Sequence, residues 1–102
     1  MTKNELLNDK NFQEASDDSI IVYEDTSRKS YILGEPTMCF RRKVMFSCGY
    51  GMTKGELLKS KAFCYASGDS ELMMSSNGER LFLLTSISVE PEEKYIIIKE
   101  EI

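Results

Sequence analysis

Apolar residues along the chain fall into two kinds of short cluster, and a cluster of the first kind is followed by clusters of the second kind twice along the chain. The first kind consists of leucine and phenylalanine residues that follow a Thr-x-x-Glu sequence, at Thr2–Glu5 and again at Thr53–Glu56. In this capping box the threonine hydroxyl and the glutamate carboxylate each accept a hydrogen bond from a backbone N–H at the helix start. Each sequence therefore predicts a short helix of about 8–12 residues. The apolar residues expected to face a core are Leu6, Leu7, Phe12, Leu57, Leu58 and Phe63.

The second kind of cluster is rich in β-branched and aromatic residues, which favour strands. Ile20–Tyr23 predicts a strand after the first helix, and Leu72–Met74 occupies the corresponding place after the second. Val44–Cys48 and Tyr95–Lys99 predict a last strand in each half.

A long strand is predicted between these two in each half. Leu81–Val89 alternates apolar and polar residues in part, and it follows Asn77-Gly78, a strong hairpin signal. Its counterpart Ser30–Phe40 is interrupted by Gly34-Glu35-Pro36, where we expect a bulge, a bend or an edge position. We expect each long strand to pair with the first strand along one end and with the last strand along the other.

The chain contains an internal repeat. Met1–Ser19 returns as Met52–Ser70 after a shift of 51 residues without a gap, and 12 of the 19 positions are identical. The 102 residues thus divide into the halves Met1–Gly51 and Met52–Ile102. A half of this length would bury too little surface to be stable alone, so we expect residues 1–102 to form a single domain around a pseudo-two-fold axis, as in a fused homodimer.

The predicted fold class is therefore α+β, with two tandem α-β-β-β repeats, six strands and two short helices. One barrel-like core, two packed sheets and a domain swap all agree with this pattern.

Composition narrows the classes of function. The chain is 41% apolar and 29% charged, which is ordinary for a globular domain, and its net charge is −4 with a pI near 4.9. The basic surface that neutralises nucleic-acid phosphates is therefore not expected, whereas a basic protein partner suits this charge. The longest apolar run is only a few residues, so no membrane association is expected, and the predicted location is the cytoplasm.

Catalytic chemistry is scarce. The chain has no histidine, so the commonest general base is missing, and it has neither a P-loop nor a paired-cysteine zinc motif. Its three cysteines, Cys39, Cys48 and Cys64, are an odd number without paired spacing, which predicts free and buried thiols in a reducing compartment. We expect a protein that is not an enzyme and that uses no metal or cofactor.

Acidic residues recur where each predicted helix gives way to a strand, at Asp17 and Asp18 and at Asp69 and Glu71. Carboxylates in such positions can bind a metal ion or the arginine side chains of a partner. They are more typical of solvated turns at the junction of a helix and a strand.

The two halves differ most in their last predicted turn. The first half has Arg41-Arg42-Lys43 there, and the second has Glu90, Glu92 and Glu93. The basic set is a candidate for anion binding and the acidic set for protein binding. Opposite charges on matching turns also suit head-to-tail association of copies of the chain. The simplest alternative is that the charges keep hairpin turns soluble and protect the sheet edges.

The pattern of a capped helix, an acidic strand entry and an apolar last strand resembles small proteins of phages and mobile elements. The residues that support the likeness are Glu5-Leu6-Leu7, Asp18–Val22, Glu56-Leu57-Leu58, Asp69–Leu72 and Tyr95–Ile98. The resemblance implies a small inhibitor or accessory binder of host proteins and implies no catalytic residues.

The function that these observations favour is a non-enzymatic protein-binding module, of the phage-inhibitor type, that acts on a host or defence protein with a basic surface. An anti-CRISPR or other anti-defence role is one form of this hypothesis. Two alternatives stay open: a small-ligand or nucleotide binder at the seam between the repeats, and an accessory protein that forms homo-oligomers.

Overall fold

The computed structural model describes residues 1–39, 42–76, 80–83 and 87–100. It has an α+β fold with short helices and two four-stranded sheets, which confirms the predicted class. The helices are α1 (Lys3–Asn8), α2 (Lys10–Glu14), α3 (Lys54–Lys59) and α4 (Lys61–Tyr65). The strands are β1 (Ile20–Glu24), β2 (Ser30–Ile32), β3 (Thr37–Cys39), β4 (Lys43–Ser47), β5 (Glu71–Ser76), β6 (Arg80–Leu83), β7 (Ile87–Glu92) and β8 (Tyr95–Glu100).

Both capping boxes form as predicted, but each predicted helix is divided in two. Asp9 ends α1 with an extended backbone (φ −68°, ψ 127°), and its side chain accepts from the Phe12 N–H to begin α2. Ser60 divides α3 from α4 in the same way, without a side-chain cap bond. Short polar side chains that compete for backbone groups favour such interruptions, so the expectation of two helices was wrong.

The long strand of the first half is divided into β2 and β3, so the expectation of six strands was also wrong. Residues 84–86 of the second long strand lie outside the described residues. The first part of the divided strand, β2, pairs with β1, and the second part, β3, pairs with β4. This confirms the predicted pairing with the first strand at one end and the last strand at the other. The break contains Pro36, which has no N–H to donate to a ladder. In the second half β6 pairs with β5 and β7 with β8. The predicted turn at Asn77-Gly78 lies outside the described residues.

Each sheet contains strands from both halves of the chain. The strand order is β2-β1-β8-β7 in the first sheet and β3-β4-β5-β6 in the second. The central pairs, β1 with β8 and β4 with β5, are parallel and run over five register positions each, from Ile20↔Tyr95 and from Lys43↔Glu71. Every sheet therefore depends on hydrogen bonds between the two halves.

One hydrophobic cluster draws on both sheets and on the helices. Its fully buried members include Phe12 and Phe63 from the helices, Ile21 and Ile96 from the first sheet, and Phe46 from the second. The helices pack on strands of the other half: the Asn11 side chain of α2 donates to the Val89 carbonyl of β7 at 2.8 Å. A core built in this way requires both halves at once.

Two lysines connect the helices of one half to the helices of the other. Lys54 is 7% exposed, and its Nζ donates to the carbonyls of Phe12 (2.7 Å), Gln13 (3.1 Å) and Ala15 (2.9 Å), at the end of α2. Lys3 Nζ likewise donates to Cys64 (3.2 Å) and Ala66 (2.9 Å), at the end of α4. A cation at the carbonyl end of a helix is favourable because these carbonyls lack partners within the helix.

The connector between the halves is packed against the break in the middle strand. Gly49 and Gly34 lie so close that a Cβ built on Gly34 would come within 2.9 Å of the Gly49 Cα. The Gly49 N–H donates to the Ile32 carbonyl, and the Gly51 N–H donates to the Leu33 carbonyl. Gly51 has a φ of +99°, which favours glycine.

Candidate protein-binding site

Asp17 and Asp18 lie in the loop between α2 and β1, against the start of α3. The Asp18 N–H donates to the Ser16 hydroxyl at 3.2 Å, and the Asp17 carbonyl accepts from the Gly55 N–H at 2.9 Å. This backbone contact joins an acidic loop of the first half to the capping box of the second. Both aspartates are exposed.

The same junction borders an open groove of about 410 Å³. Its lining residues are Asp17, Asp18, Thr53, Gly55, Glu56, Leu58 and Lys59. Three carboxylates and one lysine give the groove a negative balance. Such a lining is better suited to a cationic side chain than to a phosphate.

The acidic turn between β7 and β8 lies at the same end of the first sheet. The Ile20 N–H donates to the Lys94 carbonyl at 2.9 Å, and Glu92 lies opposite Tyr95 in the register of β7 and β8. Glu92 and Glu93 are exposed. We call Asp17, Asp18, Glu92 and Glu93 the acidic end. Among the described residues none of these four side chains forms an ion pair.

Glu90 lies on β7, farther from the turn. Its Oε1 lies 3.6 Å from the Nζ of Lys99 on β8, so this carboxylate is partly neutralised within the sheet. The prediction placed Glu90 with Glu92 and Glu93, and the structure separates it from them by this ion pair.

At the corresponding end of the second sheet, acidic and basic residues come together. Arg42 forms an ion pair with Asp69, with Nη1 and Oδ2 3.0 Å apart, and Lys43 lies beside Glu71 in the register of β4 and β5. We call Arg42, Lys43, Asp69 and Glu71 the mixed end. Arg41 lies outside the described residues.

The pKa of the Asp69 carboxyl is lowered from its usual value of 3.8 by a hydrogen bond from the Ser67 hydroxyl (2.6 Å) and then by the Arg42 guanidinium. Asp69 and Arg42 are both largely exposed, so the pair adds little stability. Its main consequence is electrostatic: the basic turn is opposed by a carboxylate of the same molecule.

The sequence pattern did not lead us to predict an apolar outer face on the first sheet. Ile21 and Tyr23 of β1 are buried in the core, so Ile20 and Val22 lie on the opposite face of the sheet. In the strand register Tyr95 is the neighbour of Ile20, and Ile32 and Ile97 are the neighbours of Val22. We call these five residues the outer apolar face. The run of four consecutive apolar residues at 20–23 was the available signal, since such a run is apolar on both faces.

The structure also corrects one expectation about the cysteines. Cys48 and Cys64 are free, as predicted, but both are exposed rather than buried. Cys64 lies on α4 with its Sγ 2.8 Å from the Leu58 carbonyl, and Cys48 lies in the connector. The side chain of Cys39 lies outside the described residues.

The described part of the chain contains no group of three or more His, Cys, Asp or Glu side chains placed to hold a metal ion. None of its helices is long and apolar enough to cross a membrane.

No protein-family model matches the chain, and neither a curated protein nor a solved structure shows significant similarity to it.

Proposed function

We propose that this protein is a non-enzymatic protein-binding module that engages a basic partner through its acidic end. The observation that supports this is the difference between the two ends of the fold. Asp69 is opposed by Arg42, whereas Asp17, Asp18, Glu92 and Glu93 form no ion pair among the described residues. Unopposed carboxylates on an exposed surface steer and bind cationic partners.

The groove at the acidic end strengthens this proposal relative to the nucleotide-binding alternative. A nucleotide phosphate in the groove would have to lie among three carboxylates. In the basic turn that could otherwise bind a phosphate, Arg42 is already paired with Asp69. The backbone N–H groups of Gly49 and Gly51 donate to carbonyls of the chain itself and are not free to bind an anion. The phage-inhibitor role is a narrower form of the same proposal.

We also propose that the two halves are related by a pseudo-two-fold axis. The Lys3 N–H donates to the Ser70 carbonyl at 2.9 Å, and after the 51-residue shift the Lys54 N–H donates to Ser19 at 2.8 Å. The hydrogen bonds of the two lysine side chains correspond in the same way. Such reciprocal contacts are those of an isologous interface, which supports a fused-homodimer arrangement.

The experiment is capture of a partner by the tagged full chain from a lysate of its native host, at low and high salt. Two variants carry the same change of charge: Asp17→Lys/Asp18→Lys at the acidic end and Asp69→Lys/Glu71→Lys at the mixed end. We expect a stoichiometric partner that the first variant loses and the second retains. Circular dichroism melts check that both variants are folded.

The two charge-reversal variants separate position from net charge. If they lose the partner equally, net charge rather than the acidic end governs binding and the proposal is wrong. If a folded wild-type chain retains no protein at low salt, the protein-binding function itself is refuted.

A further inference from the structure

We infer that the outer apolar face is the docking surface for a protein partner that presents an apolar side chain ringed by arginine or lysine. This inference rests on the proposed function and names the surface that would perform it. Ile32 is 50% exposed and Tyr95 is 43% exposed, both on solvent-facing positions of the first sheet. Between them lie Ile20 and Ile97, which are half-buried, and Val22, which is 7% exposed and forms the floor of the patch.

The connector extends this face. A Cβ built on Gly51 would lie 3.5 Å from Ile32 Cγ2 and 3.8 Å from Ile20 Cγ2, so the backbone next to Tyr50 lies directly beside the isoleucines. Tyr50 is 69% exposed, and its hydroxyl lies 3.4 Å from a carboxylate oxygen of Glu56. Exposed tyrosines are among the residues that dominate binding energy at interfaces.

Carboxylates border the outer apolar face. Glu92 of β7 shares the face with its register partner Tyr95, and Glu90 shares it with Ile97 but is partly neutralised by Lys99. The other members of the acidic end, together with Glu56, lie beyond the beginning of β1. An apolar centre with a polar rim is the usual anatomy of a protein interface, and the negative rim selects a partner whose own rim is positive.

The second sheet differs from the first at the beginning of its central strands. Where the first sheet has the pair Ile20 and Tyr95 on its outer face, the second has the charged pair Glu71 and Lys43, and the apolar pair Met45 and Met73 comes only after it. Two other exposed apolar residues, Met38 on β3 and Tyr65 on α4, belong to the second sheet or to the helix beside it, and a third, Leu58 on α3, lines the groove at the acidic end. Single exposed apolar side chains are ordinary on protein surfaces, whereas a continuous patch is characteristic of a binding surface.

A second copy of the chain is a poor occupant. A two-fold contact uses the same surface patch of both copies, so it would bring two negative rims into one interface. Juxtaposed like charges oppose such an interface. A partner with basic residues around its apolar anchor meets the same surface with opposite charges.

The test uses a defined probe, the hexapeptide amide Arg-Arg-Leu-Trp-Arg-Arg, with Glu-Glu-Leu-Trp-Glu-Glu as its charge control. The chain has no tryptophan, so indole fluorescence reports on the peptide alone. We expect weak binding of the basic peptide, with a Kd on the order of 0.1–1 mM, and none of the acidic one. In ¹H–¹⁵N spectra of the full chain, the shifted amides should belong to Ile20, Ile32, Tyr95 and Ile97.

The decisive comparison is between Ile32→Ser and Met38→Ser. The two side chains are almost equally exposed, at 50% and 51%, and each lies on an edge strand of one sheet. We expect Ile32→Ser to weaken peptide binding by about fivefold or more and Met38→Ser to change it by less than about twofold. Equal effects would overturn the inference.

Three further outcomes test this inference, and the first two separate it from the proposed function. Binding that weakens with Asp17→Lys/Asp18→Lys but not with Ile32→Ser would overturn the docking surface and leave the acidic end as the binding site. No fluorescence change up to about 2 mM peptide would also overturn it, while the capture experiment decides the proposed function independently. A dimer in light scattering that Ile32→Ser dissociates would assign the face to a second copy instead.

Discussion

Replacement of Lys54 by methionine should destabilise the fold more than any other single loss of charge on the helices. The side chain is 7% exposed, and its Nζ donates to three carbonyls at the end of α2. It also lies 5.1 Å from the centre of the Phe12 ring. Methionine retains most of the apolar stem but leaves three helix-end carbonyls of the other half without this donor.

The magnitude follows from these bonds. A hydrogen bond to a charged group contributes about 1.5–3 kcal/mol. The Lys54 ammonium has no carboxylate partner among the described residues, and removing such a buried charge recovers several kcal/mol of desolvation. The opposing terms leave a net loss of about 3 kcal/mol in the free energy of unfolding. For a chain of this size that is a fall in Tm of about 12–24 °C.

The assay is urea unfolding followed by circular dichroism, with thermal melts alongside. Lys3→Met, which removes two such bonds from a less buried side chain, should cost about 1–2 kcal/mol. Lys61→Met, at an exposed position of α4, should change stability by less than about 0.5 kcal/mol. If Lys54→Met unfolds at the same urea concentration as Lys61→Met, the lysine bonds do not hold the two halves together and the reasoning is refuted.

Three other predictions concern close contacts and charge. Gly49→Ala should cost roughly 3 kcal/mol or more in urea unfolding, because its Cβ would overlap the backbone of the facing glycine; a stable variant would show that the connector can move away. Gly68→Asp should destabilise the fold, because its side chain would collide with that of Asn4. Asn4→Gly in the same chain should restore most of the lost stability, and purely additive losses of stability would contradict this. The Ser67 hydroxyl and Arg42 lower the pKa of Asp69, so the stability that the Asp69 carboxylate adds to the fold is present above pH 3.8 and is lost as pH falls through the lowered pKa. A carboxyl ¹³C titration should show this pKa rising in Arg42→Ala. An unchanged pKa would exclude the ion pair.

The local elements could be predicted because their causes lie within a few residues. The capping boxes at Thr2 and Thr53 depend on a hydroxyl and a carboxylate three positions apart, and both form. The pairing of the middle strand with the first strand at one end and the last at the other was also predicted, as was an irregularity at Gly34-Glu35-Pro36. The interruptions at Asp9 and Ser60 were missed because nothing in the apolar pattern marks a single extended residue between two helical turns.

The candidate site could be predicted only as separate acidic and basic groups. Tertiary structure decided that Asp17 and Asp18 share an end with the turn of Glu92 and Glu93, because β1 lies parallel to β8. The same exchange of strands opposed Asp69 to Arg42. Sequence spacing contains no information on which of these charges neutralise one another.

For this chain, then, the amino-acid sequence alone determined the repeat, the helix starts, the strand segments and the α+β class, since each follows from local spacing and composition. Only the tertiary structure decided that both sheets are shared between the halves and that Ile20, Ile32 and Tyr95 lie on an outer face. Alternation along a strand shows that it has two faces. Which face is covered depends on elements up to 75 residues away, as for Ile20 and Tyr95.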